Sequence, residues 1–359
     1  MADFINTLQL PPWVGAIIRG EASEWPDDAT QYAVALEQHA VAPLVYARLP
    51  HPALREIALR AAAAEMLRLD DLRSLLDGFE RRGIPLLIIK GSALAYDVYE
   101  APELRPRADT DLLIDRADVP RVRALMGELG YTARLLSGDP HANRQQAFAR
   151  RDSFGVEHVY DVHWDIANTP VVRDALRFDE LRARSMALPR IAAAARAPSH
   201  VDALLLACIH RVAHHHDSDR LVWLYDIHLL CRQLSPADRQ ELWRRAAERR
   251  VVAICDRSIE IAEEWFGATG DGFRPSDVPT DEPSASFLDR SRTRGALLAA
   301  DLKALGWRAR LERLRDLALP PAAFVRASFP HAPRAALPLL YVYRAARGLR
   351  RLFHRLDAG

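Results

Sequence analysis

Two closely spaced aspartates are the strongest chemical signal in the sequence. Asp109 and Asp111 flank Thr110 at the start of an alternating apolar stretch that ends at Ile114. If that stretch is a strand, residues i and i+2 point the same way, with Cα atoms about 6–7 Å apart. Two carboxylates at that range repel each other unless a cation lies between them. Hard oxygen ligands of this kind suit Mg²⁺, so the pair predicts a metal site.

A third carboxylate lies some fifty residues further on, in the segment VYDVHWDI. Asp161 on a neighbouring strand would complete a two-metal site, which clamps the attacking and leaving oxygens of an in-line displacement. Asp165 is the alternative ligand, but it lies about 13 Å along the strand and cannot reach the same ion as Asp161. His163 shares their face; it is predicted to be a structural hydrogen-bonding residue, with a role as catalytic base as the alternative.

An anion site is predicted where a short apolar run leads into Lys90-Gly91-Ser92. A strand that feeds Gly-Ser at a helix start presents backbone N–H groups and the positive end of the helix dipole. Gly91 lets the backbone come close, and Ser92 can both cap the helix and donate to a phosphate. Lys90 supplies a compact point charge. Arg105 and Arg107 could neutralise a polyphosphate, or could belong to a solvated loop.

Two further groups of polar residues have a structural and a functional interpretation. Asp226 lies among apolar residues in WLYDIHLL, where an unpaired carboxylate is costly. It is predicted to pair with an arginine such as Arg220 or Arg211, and the alternative is that it reaches the cleft. The run His214-His215-His216 is predicted to be a surface cluster rather than a zinc site, because consecutive helical residues face different directions.

The elements that must position these residues follow from hydrophobic periodicity. Helical spacing predicts helices over 51–82, 118–129, 200–216, 219–233, 237–249 and 251–266, with a further helix beginning at Ser92. Short apolar or alternating runs predict strands over 85–89, 109–114, 131–136, 145–150 and 154–166. In the last strand, Trp164 falls on the apolar face. The fold class is therefore α+β, with a small mixed sheet core embedded in a mostly helical protein.

Five regions are predicted along the chain. Residues 1–82 form an N-terminal helical region, and residues 83–167 form the α/β core that holds the candidate site. Residues 168–266 form a helical domain that completes the cleft. The stretch 267–286 is dense in Gly, Pro, Ser and Asp and is predicted to be a linker or exposed loop. Residues 287–359 form a C-terminal helical region, rich in arginine, whose charge could attract an acidic acceptor.

Composition restricts the class of protein. The formal net charge of the 359 residues is +1, and no nucleic-acid module is recognisable, so the sequence gives no support to a polynucleotide substrate. Neither a signal peptide nor an apolar run of about 20 residues is visible, which predicts a cytoplasmic protein without a membrane partner. The three cysteines lie within apolar helical patterns and are expected to be buried, reduced thiols. The sequence predicts no particular oligomeric state.

Taken together, these motifs resemble a known superfamily. A hydrophobic strand, Gly-Ser, a helix, Asp-x-Asp on the next strand and a lone Asp on a later strand are similar to the DNA polymerase beta-like nucleotidyltransferases. Within that superfamily, the segments KGSALA, LRPRADTDLLI, YDVHW and WLYDIHLL resemble a bacterial family of largely uncharacterised nucleotidyltransferases. The resemblance covers roughly residues 55–265. Ala93-Leu94-Ala95 lacks the further glycine or arginine of the superfamily's fuller pattern.

The resemblance implies a function and a role for each residue. Asp109 and Asp111 would bind two Mg²⁺ ions, with Mn²⁺ as an alternative, and Asp161 would bind the catalytic ion and help activate the acceptor. Gly91 and Ser92 would hold the phosphates of an NTP such as ATP. The implied reaction transfers an NMP to a hydroxyl-type acceptor on a small molecule or peptide, releasing pyrophosphate. Alternatives are another phosphoryl- or glycosyl-type transferase on the same scaffold, or a non-catalytic nucleotide-binding module.

Overall fold

Helices surround a small mixed sheet in this protein. The computed structural model describes residues 10–26, 29–134, 144–167, 169–270, 274–275, 277–279, 281–289, 293–320, 322–329 and 332–352. Within these ranges, helices predominate, and they enclose a five-stranded mixed sheet and a smaller two-stranded sheet. The α+β class predicted from the sequence is therefore confirmed.

The helices occur in two groups, one before and one after the large sheet, with two helices inside the sheet region. The first group comprises α1 (Trp13–Arg19), α2 (Ala33–Gln38), α3 (Ala42–Arg48) and α4 (Pro52–Arg81). Within the sheet region lie α5 (Lys90–Asp97) and α6 (Val119–Glu128). The second group comprises α7 (Pro170–Arg173), α8 (Phe178–Ala183), α9 (His200–Ile209), α10 (Leu221–Gln233), α11 (Pro236–Glu248), α12 (Val252–Phe266), α13 (Arg294–Ala304), α14 (Trp307–Ala318), α15 (Ala322–Ser328) and α16 (Leu337–Leu352).

The large sheet brings two distant chain segments side by side. Its strands are β1 (Leu86–Ile89), β2 (Thr110–Ile114), β3 (Thr132–Ala133), β4 (Gln145–Arg151) and β5 (Glu157–His163), in the spatial order β1-β2-β5-β4-β3. The pair β2 and β5 is parallel, and the other neighbours are antiparallel. The small sheet pairs β6 (Met186–Ala187) with β7 (Arg196–Ala197). The parallel pair matters most, because it joins the two segments that contain the aspartates.

Each face of the large sheet packs against a different core. Ile88, Leu112 and Val162 lie on one face, in a core shared with the carboxyl-terminal half of α4 and with α6. On the opposite face, Leu87 and Leu113 belong to a core that includes side chains of α1 to α3 and of α9 to α12. Because successive side chains of a strand alternate between faces, Asp111 and Leu113 share this second face. The carboxylates therefore point toward the helices that follow the sheet in sequence.

Several observed element bounds differ from the predicted ones. Helix α5 begins at Lys90 rather than at Ser92, and β5 ends at His163 rather than at residue 166. Trp164 therefore lies just after the strand, where it is partly buried against the core on the α4 side. Only Thr132–Ala133 is a strand within the predicted stretch 131–136, and residues 135 and 136 lie outside the described residues. The predicted helix over 51–82 is confirmed as α4.

The regions after α12 contain both buried and exposed segments. In the described part of the predicted linker, Glu282 is buried and accepts a hydrogen bond from the Ala253 N–H at 3.0 Å, while Ser284 donates to the Arg250 carbonyl at 2.6 Å. Further on, α14 and α16 leave large apolar side chains exposed, including Trp307 and Leu339. Among the described residues, each helix is too short or too polar to span a bilayer. The five predicted regions remain predictions.

Candidate active site

The carboxylates of Asp111 and Asp161 are neighbours on the parallel strand pair. Asp111 on β2 is in direct register with Asp161 on β5, and both are partly buried. His163, two residues after Asp161, points to the same side. Among the described residues, one ligand atom from each of these three side chains lies within 4.8 Å of the other two. The predicted convergence of Asp111 and Asp161 is thus present, and His163 joins them.

Asp109 lies at the edge of this cluster. It precedes β2 by one residue and lines the same cleft as Asp111 and Asp161. Burial, followed by the negative charge of Asp111, raises the pKa of the Asp109 carboxyl. Burial and the charges of Asp111 and Asp109 raise the pKa of Asp161 to about 6. These shifts reflect three carboxyl groups that share a small, poorly solvated volume, where each disfavours the negative charge of the others.

Lys90 and His163 contact Asp111 directly. The Lys90 ammonium donates a hydrogen bond to Asp111 Oδ1 at 2.7 Å, and His163 Nε2 lies 2.8 Å from the same oxygen. Lys90 Nζ is also 3.3 Å from His163 Nε2. Burial alone would raise the pKa of Asp111, but the Lys90 charge and the contact with His163 lower it below its ordinary value. Burial and the Lys90 charge lower the pKa of His163, so its imidazole is neutral at pH 7.

These residues suit a divalent cation. Two carboxylates and a neutral imidazole are all electron-pair donors, and oxygen donors predominate, as Mg²⁺ and Mn²⁺ prefer. Burial, and then the charges of Asp111 and Asp109, raise the pKa of Asp161 even with the Lys90 ammonium beside Asp111. A cation at this point would relieve the repulsion, because it would favour the ionised form of each carboxyl. The geometry brings together three candidate ligands, Asp111, Asp161 and His163, and Asp109 lies beside them.

Asp165 lies apart from the cluster. Its Oδ2 is 3.5 Å from Arg144 Nε, and it belongs neither to the metal-binding group nor to the lining of the cleft. Because β5 ends at His163, the chain has left the strand before residue 165. Asp165 therefore does not continue the row of side chains begun by Asp161. Of the two candidates for the third carboxylate, the structure brings Asp161 to Asp111.

Asp226 pairs with Arg105, not with Arg220 or Arg211. Arg105 donates from Nε to Asp226 Oδ1 at 2.8 Å and from NH2 to Oδ2 at 2.7 Å, and both residues are buried. Tyr99 donates a further hydrogen bond to Asp226 Oδ1 at 2.8 Å. The predicted structural pairing is thus present with a different partner, and Asp226 also reaches the lining of the cleft, as the alternative had it. Arg211 is instead bonded to Asp217, and Arg220 donates to a backbone carbonyl of residue 38.

Arg107 and Ser92 are held in a second buried network. Arg107 donates from NH2 to Glu65 Oε1 at 2.6 Å and from Nε to Ser92 Oγ at 2.9 Å. Ser92 Oγ in turn lies 3.2 Å from Thr110 Oγ1, and Tyr96 donates to the same Glu65 oxygen. The Ser92 hydroxyl is buried and engaged with protein side chains, while Arg107 still lines the cleft. Glu65 and Tyr96 were not anticipated, because Glu65 lies in a helix without a local motif and Tyr96 follows the motif that opens α5 without belonging to it.

The Arg105 guanidinium leaves little room for a side chain at residue 91, which is a glycine. A Cβ atom at residue 91 would lie 3.0 Å from three atoms of the Arg105 guanidinium, which Asp226 holds in place. We expect Gly91→Ala to lower the free energy of unfolding by about 1–3 kcal/mol, the usual cost of forcing extra atoms into a packed site. Chemical denaturation measures the change. Gly127→Ala in α6 is the matched control, because no atom lies within 4 Å of its Cβ; an equal loss in both variants would contradict this explanation.

The buried pair of Arg105 and Asp226 gives a second stability prediction. Removing one partner of a buried ion pair leaves the other charge uncompensated, at a cost of about 3–5 kcal/mol. We therefore expect Asp226→Asn to lower the free energy of unfolding by about that amount in urea denaturation. Glu128→Gln is the control, since Glu128 pairs with Arg82 at the surface, where such pairs contribute about 0–1 kcal/mol. Similar small losses in both variants would show that the buried pair is not a stabilising element.

A cleft of about 660 Å³ lies between the metal-binding group, the strand-to-helix turn and the helical region. Its floor includes Lys90, Gly91 and the three aspartates 109, 111 and 161. Gln145 on β4 also lines it and donates to Asp161 Oδ2 at 3.1 Å. The opposite wall consists of residues of α9, α10 and the turn between them, including His210, Arg220 and Trp223. A volume of this size is typical of a small-molecule or cofactor site.

The histidine run expected at the surface instead borders the cleft. Residues His210–His214 form a π-helical turn that continues α9, and His214 and His215 line the cleft with His210. His215 is exposed at this border, whereas His214 is half-buried. The π-turn explains the difference. An α-helix would distribute consecutive histidines around its surface, whereas the wider π-turn places His214 and His215 on the side of the cleft. The zinc alternative gains no support, since the only metal-binding group found among the described residues is the one with Asp111.

The sequence match to a family model assigns the chain to the transferase enzymes. The chain belongs to the family described as uncharacterised nucleotidyltransferase, whose model matches residues 26–267, about two thirds of the chain. The match covers α2 to α12 and therefore includes the sheet, the aspartates and the wall opposite them. No curated protein matches the chain in sequence.

Proposed function

We propose that this enzyme transfers an NMP from an NTP to a hydroxyl group on a small molecule or peptide, depends on Mg²⁺ and releases pyrophosphate. The observation that carries the proposal is the register of Asp111 with Asp161 on parallel strands, with His163 completing a group of ligand atoms within 4.8 Å. Membership in a nucleotidyltransferase family supports the type of reaction. The order of motifs supports a place in the DNA polymerase beta-like superfamily.

The residues of the cluster have distinct proposed roles. Asp109, Asp111 and Asp161 would hold up to two divalent ions, Mg²⁺ or Mn²⁺, and His163 is within reach of the same position. When bound, such ions stabilise charge on the phosphoryl oxygens and favour ionisation of an attacking hydroxyl. Gln145 orients Asp161 through its hydrogen bond to Oδ2. Lys90, which already neutralises Asp111, supplies positive charge next to the turn where the phosphates are proposed to bind.

The proposed reaction is a displacement at the α-phosphorus of the NTP. The hydroxyl oxygen of the acceptor attacks the α-phosphorus of the NTP, and the bond from that phosphorus to the oxygen bridging to the β-phosphorus breaks. Pyrophosphate leaves with that bridging oxygen, and the hydroxyl proton passes to Asp161. The products are the NMP ester of the acceptor and pyrophosphate. Positioning and electrostatic stabilisation are the main contributions a protein makes to phosphoryl-type transfer, and a carboxylate cluster at the floor of a cleft supplies both.

Product analysis tests this proposal against its alternatives. The protein is incubated with each of ATP, GTP, CTP and UTP, Mg²⁺ and pools of hydroxyl-bearing metabolites and peptides, and pyrophosphate and product masses are recorded. Nucleotidyl transfer predicts pyrophosphate together with an acceptor heavier by one NMP residue. A product heavier by one phosphate or one sugar would establish the other transferase chemistries. Binding of an NTP without any product from any pool would support a non-catalytic module. Omitting Mg²⁺ and adding chelator is the control.

A further inference from the structure

The side chains predicted to bind phosphate are already engaged within the protein. Arg105 is held in the bidentate pair with Asp226, and the Arg107 guanidinium is bonded to Glu65 and to Ser92. Both pairings neutralise the arginine charge, and the Ser92 hydroxyl is committed to its protein neighbours. A triphosphate brings about four negative charges into the cleft, so it needs donors beyond Lys90 and the backbone N–H groups of the Gly91 turn.

The π-turn between α9 and α10 places three imidazoles together on the opposite wall. The ring of His210 lies 5.5 Å from that of His214 and 4.6 Å from that of His215, measured between centroids. His210 Nε2 and His215 Nε2 are 3.2 Å apart. A π-turn aligns residue i with both i+4 and i+5, which an α-helix does not. Such turns recur at functional sites, and we name His210, His214 and His215 the histidine face.

The histidine face lines the same cleft as the Lys90 ammonium and the three aspartates of the floor. Burial and then the charge of Lys90 lower the pKa of His214 to about 3. The same two causes lower the pKa of His210. The imidazoles of His210 and His214 are therefore neutral at pH 7, and a neutral imidazole carries one N–H. The contact between His210 Nε2 and His215 Nε2 uses the N–H of one ring of that pair, so the three rings together have two N–H groups for a ligand. The buried Nε2 of His214 finds no hydrogen-bond partner among the described residues.

Two basic side chains, Lys90 and Arg220, line the cleft together with the histidine face. Arg220 lines the same wall, with its guanidinium 5.1 Å from the centre of the Trp223 ring. Trp223 in turn packs on His215, with ring centroids 4.1 Å apart. On the floor, the carboxylate of Asp111 is already paired with Lys90. The charged groups near the three imidazoles thus include Lys90 and Arg220, which favour an anion in the cleft, and the Asp111 carboxylate, which opposes one.

We propose that the histidine face binds the triphosphate of the donor NTP, donating N–H groups to its oxygens from the wall opposite Lys90. This inference rests on the proposed function, because it assumes that an NTP enters the cleft. The proposal gives the helical region that contains α9 and α10 the role of holding the donor nucleotide. Side chains of the sheet region and of this helical region would then both contact the phosphates. The cleft then has donors on both sides of the polyphosphate and ligands for cations on its floor.

Calorimetric titration with inorganic tripolyphosphate and with each NTP, in the presence of Mg²⁺, tests this inference. We expect His214→Asn and His215→Asn each to weaken the binding of both ligands by about 10- to 150-fold, the loss expected when a hydrogen bond to a charged group is removed. His216→Asn is the matched control, because residue 216 does not line the cleft, and asparagine tolerates its positive φ of 52°. This control should bind like the wild type.

Three results would overturn the inference; the first two leave the proposed function standing, and the third overturns both. If the wild type binds NTP and releases pyrophosphate while both variants bind tripolyphosphate as tightly as the wild type, the inference is wrong and the function stands. The inference is also wrong if only turnover falls, because the face would then act on the acceptor. If the folded wild type binds neither tripolyphosphate nor any NTP, both proposals fail. His215 is exposed, so His215→Asn is informative even if His214→Asn does not fold.

Discussion

Asp111→Asn is expected to reduce the rate of nucleotidyl transfer by about 10³-fold or more, because losing several kcal/mol of transition-state charge stabilisation has an effect of that size. Asp111 is the central residue of the cluster: it lies in register with Asp161, accepts a hydrogen bond from Lys90 and contacts His163. Asparagine keeps the size and one acceptor oxygen but removes the charge. Pyrophosphate release under saturating NTP and Mg²⁺ measures the effect.

A loss of activity in this variant is informative only if the protein remains folded. Thermal unfolding should show a cooperative transition for Asp111→Asn, although its midpoint is expected to fall because Lys90 loses its partner. Asp115→Asn is the control, since Asp115 follows the same strand but accepts a hydrogen bond from the Ala117 N–H away from the cleft. A folded Asp111→Asn variant with wild-type turnover would remove this carboxylate from the mechanism.

Asp161→Asn is expected to have the second-largest effect, a decrease in kcat of about 10²–10⁴-fold, the range found for removal of a general acid or base. The carboxyl group lies beside Asp111 and is oriented by Gln145. Because Asp161 is proposed to receive the proton of the acceptor hydroxyl, its loss should lower kcat more than it weakens NTP binding. Steady-state kinetics with varied acceptor concentration, together with NTP titration, separates these two effects.

The matched control for this prediction is Asp165→Asn, four residues along the same chain segment. Asp165 contacts Arg144 and does not line the cleft, so turnover should stay close to that of the wild type. A large loss for Asp165→Asn and a small one for Asp161→Asn would reverse the assignment of the third carboxylate. That reversal would also mean that the register of β2 with β5 does not define the site.

The spacing of residues in the sequence predicted the elements around the site well. Two-residue alternation placed Asp161 and His163 on one face of a strand and Tyr160 and Val162 on the other. In the structure, Tyr160 and Val162 are buried in the core on the α4 side. Helical periodicity predicted α4 and α10 to α12 to within two residues at their ends. These features are local, because each depends on the pattern of side chains within one segment.

Contacts between distant segments could not be obtained in this way. Arg105 and Asp226 are 121 positions apart, and several arginines could have satisfied a buried aspartate equally well. The parallel pairing of β2 with β5 places Asp111 beside Asp161, but hydrophobic patterns do not specify which strands become neighbours. The role of Glu65, on the long helix α4, depends on the same kind of long-range packing.

The histidine run was misplaced for a local reason. Helical periodicity assumes 3.6 residues per turn, under which three consecutive histidines diverge around the helix. The π-turn at His210–His214 changes that geometry and also brings in His210, which the run itself does not contain. Such turns have no reliable signature in residue type, so the pattern predicted a surface cluster where the structure has a cleft wall.

Counting bound divalent ions tests the central claim most directly. Mn²⁺ is added to the wild-type protein together with an NTP analogue that cannot be cleaved between its α- and β-phosphates, and free Mn²⁺ is quantified by electron paramagnetic resonance. The proposed site predicts two bound ions per chain when the analogue is present, and loss of this binding in Asp111→Asn and Asp161→Asn. A folded wild-type protein that binds the analogue without any Mn²⁺, or whose Mn²⁺ binding is unaffected by both substitutions, would contradict the account.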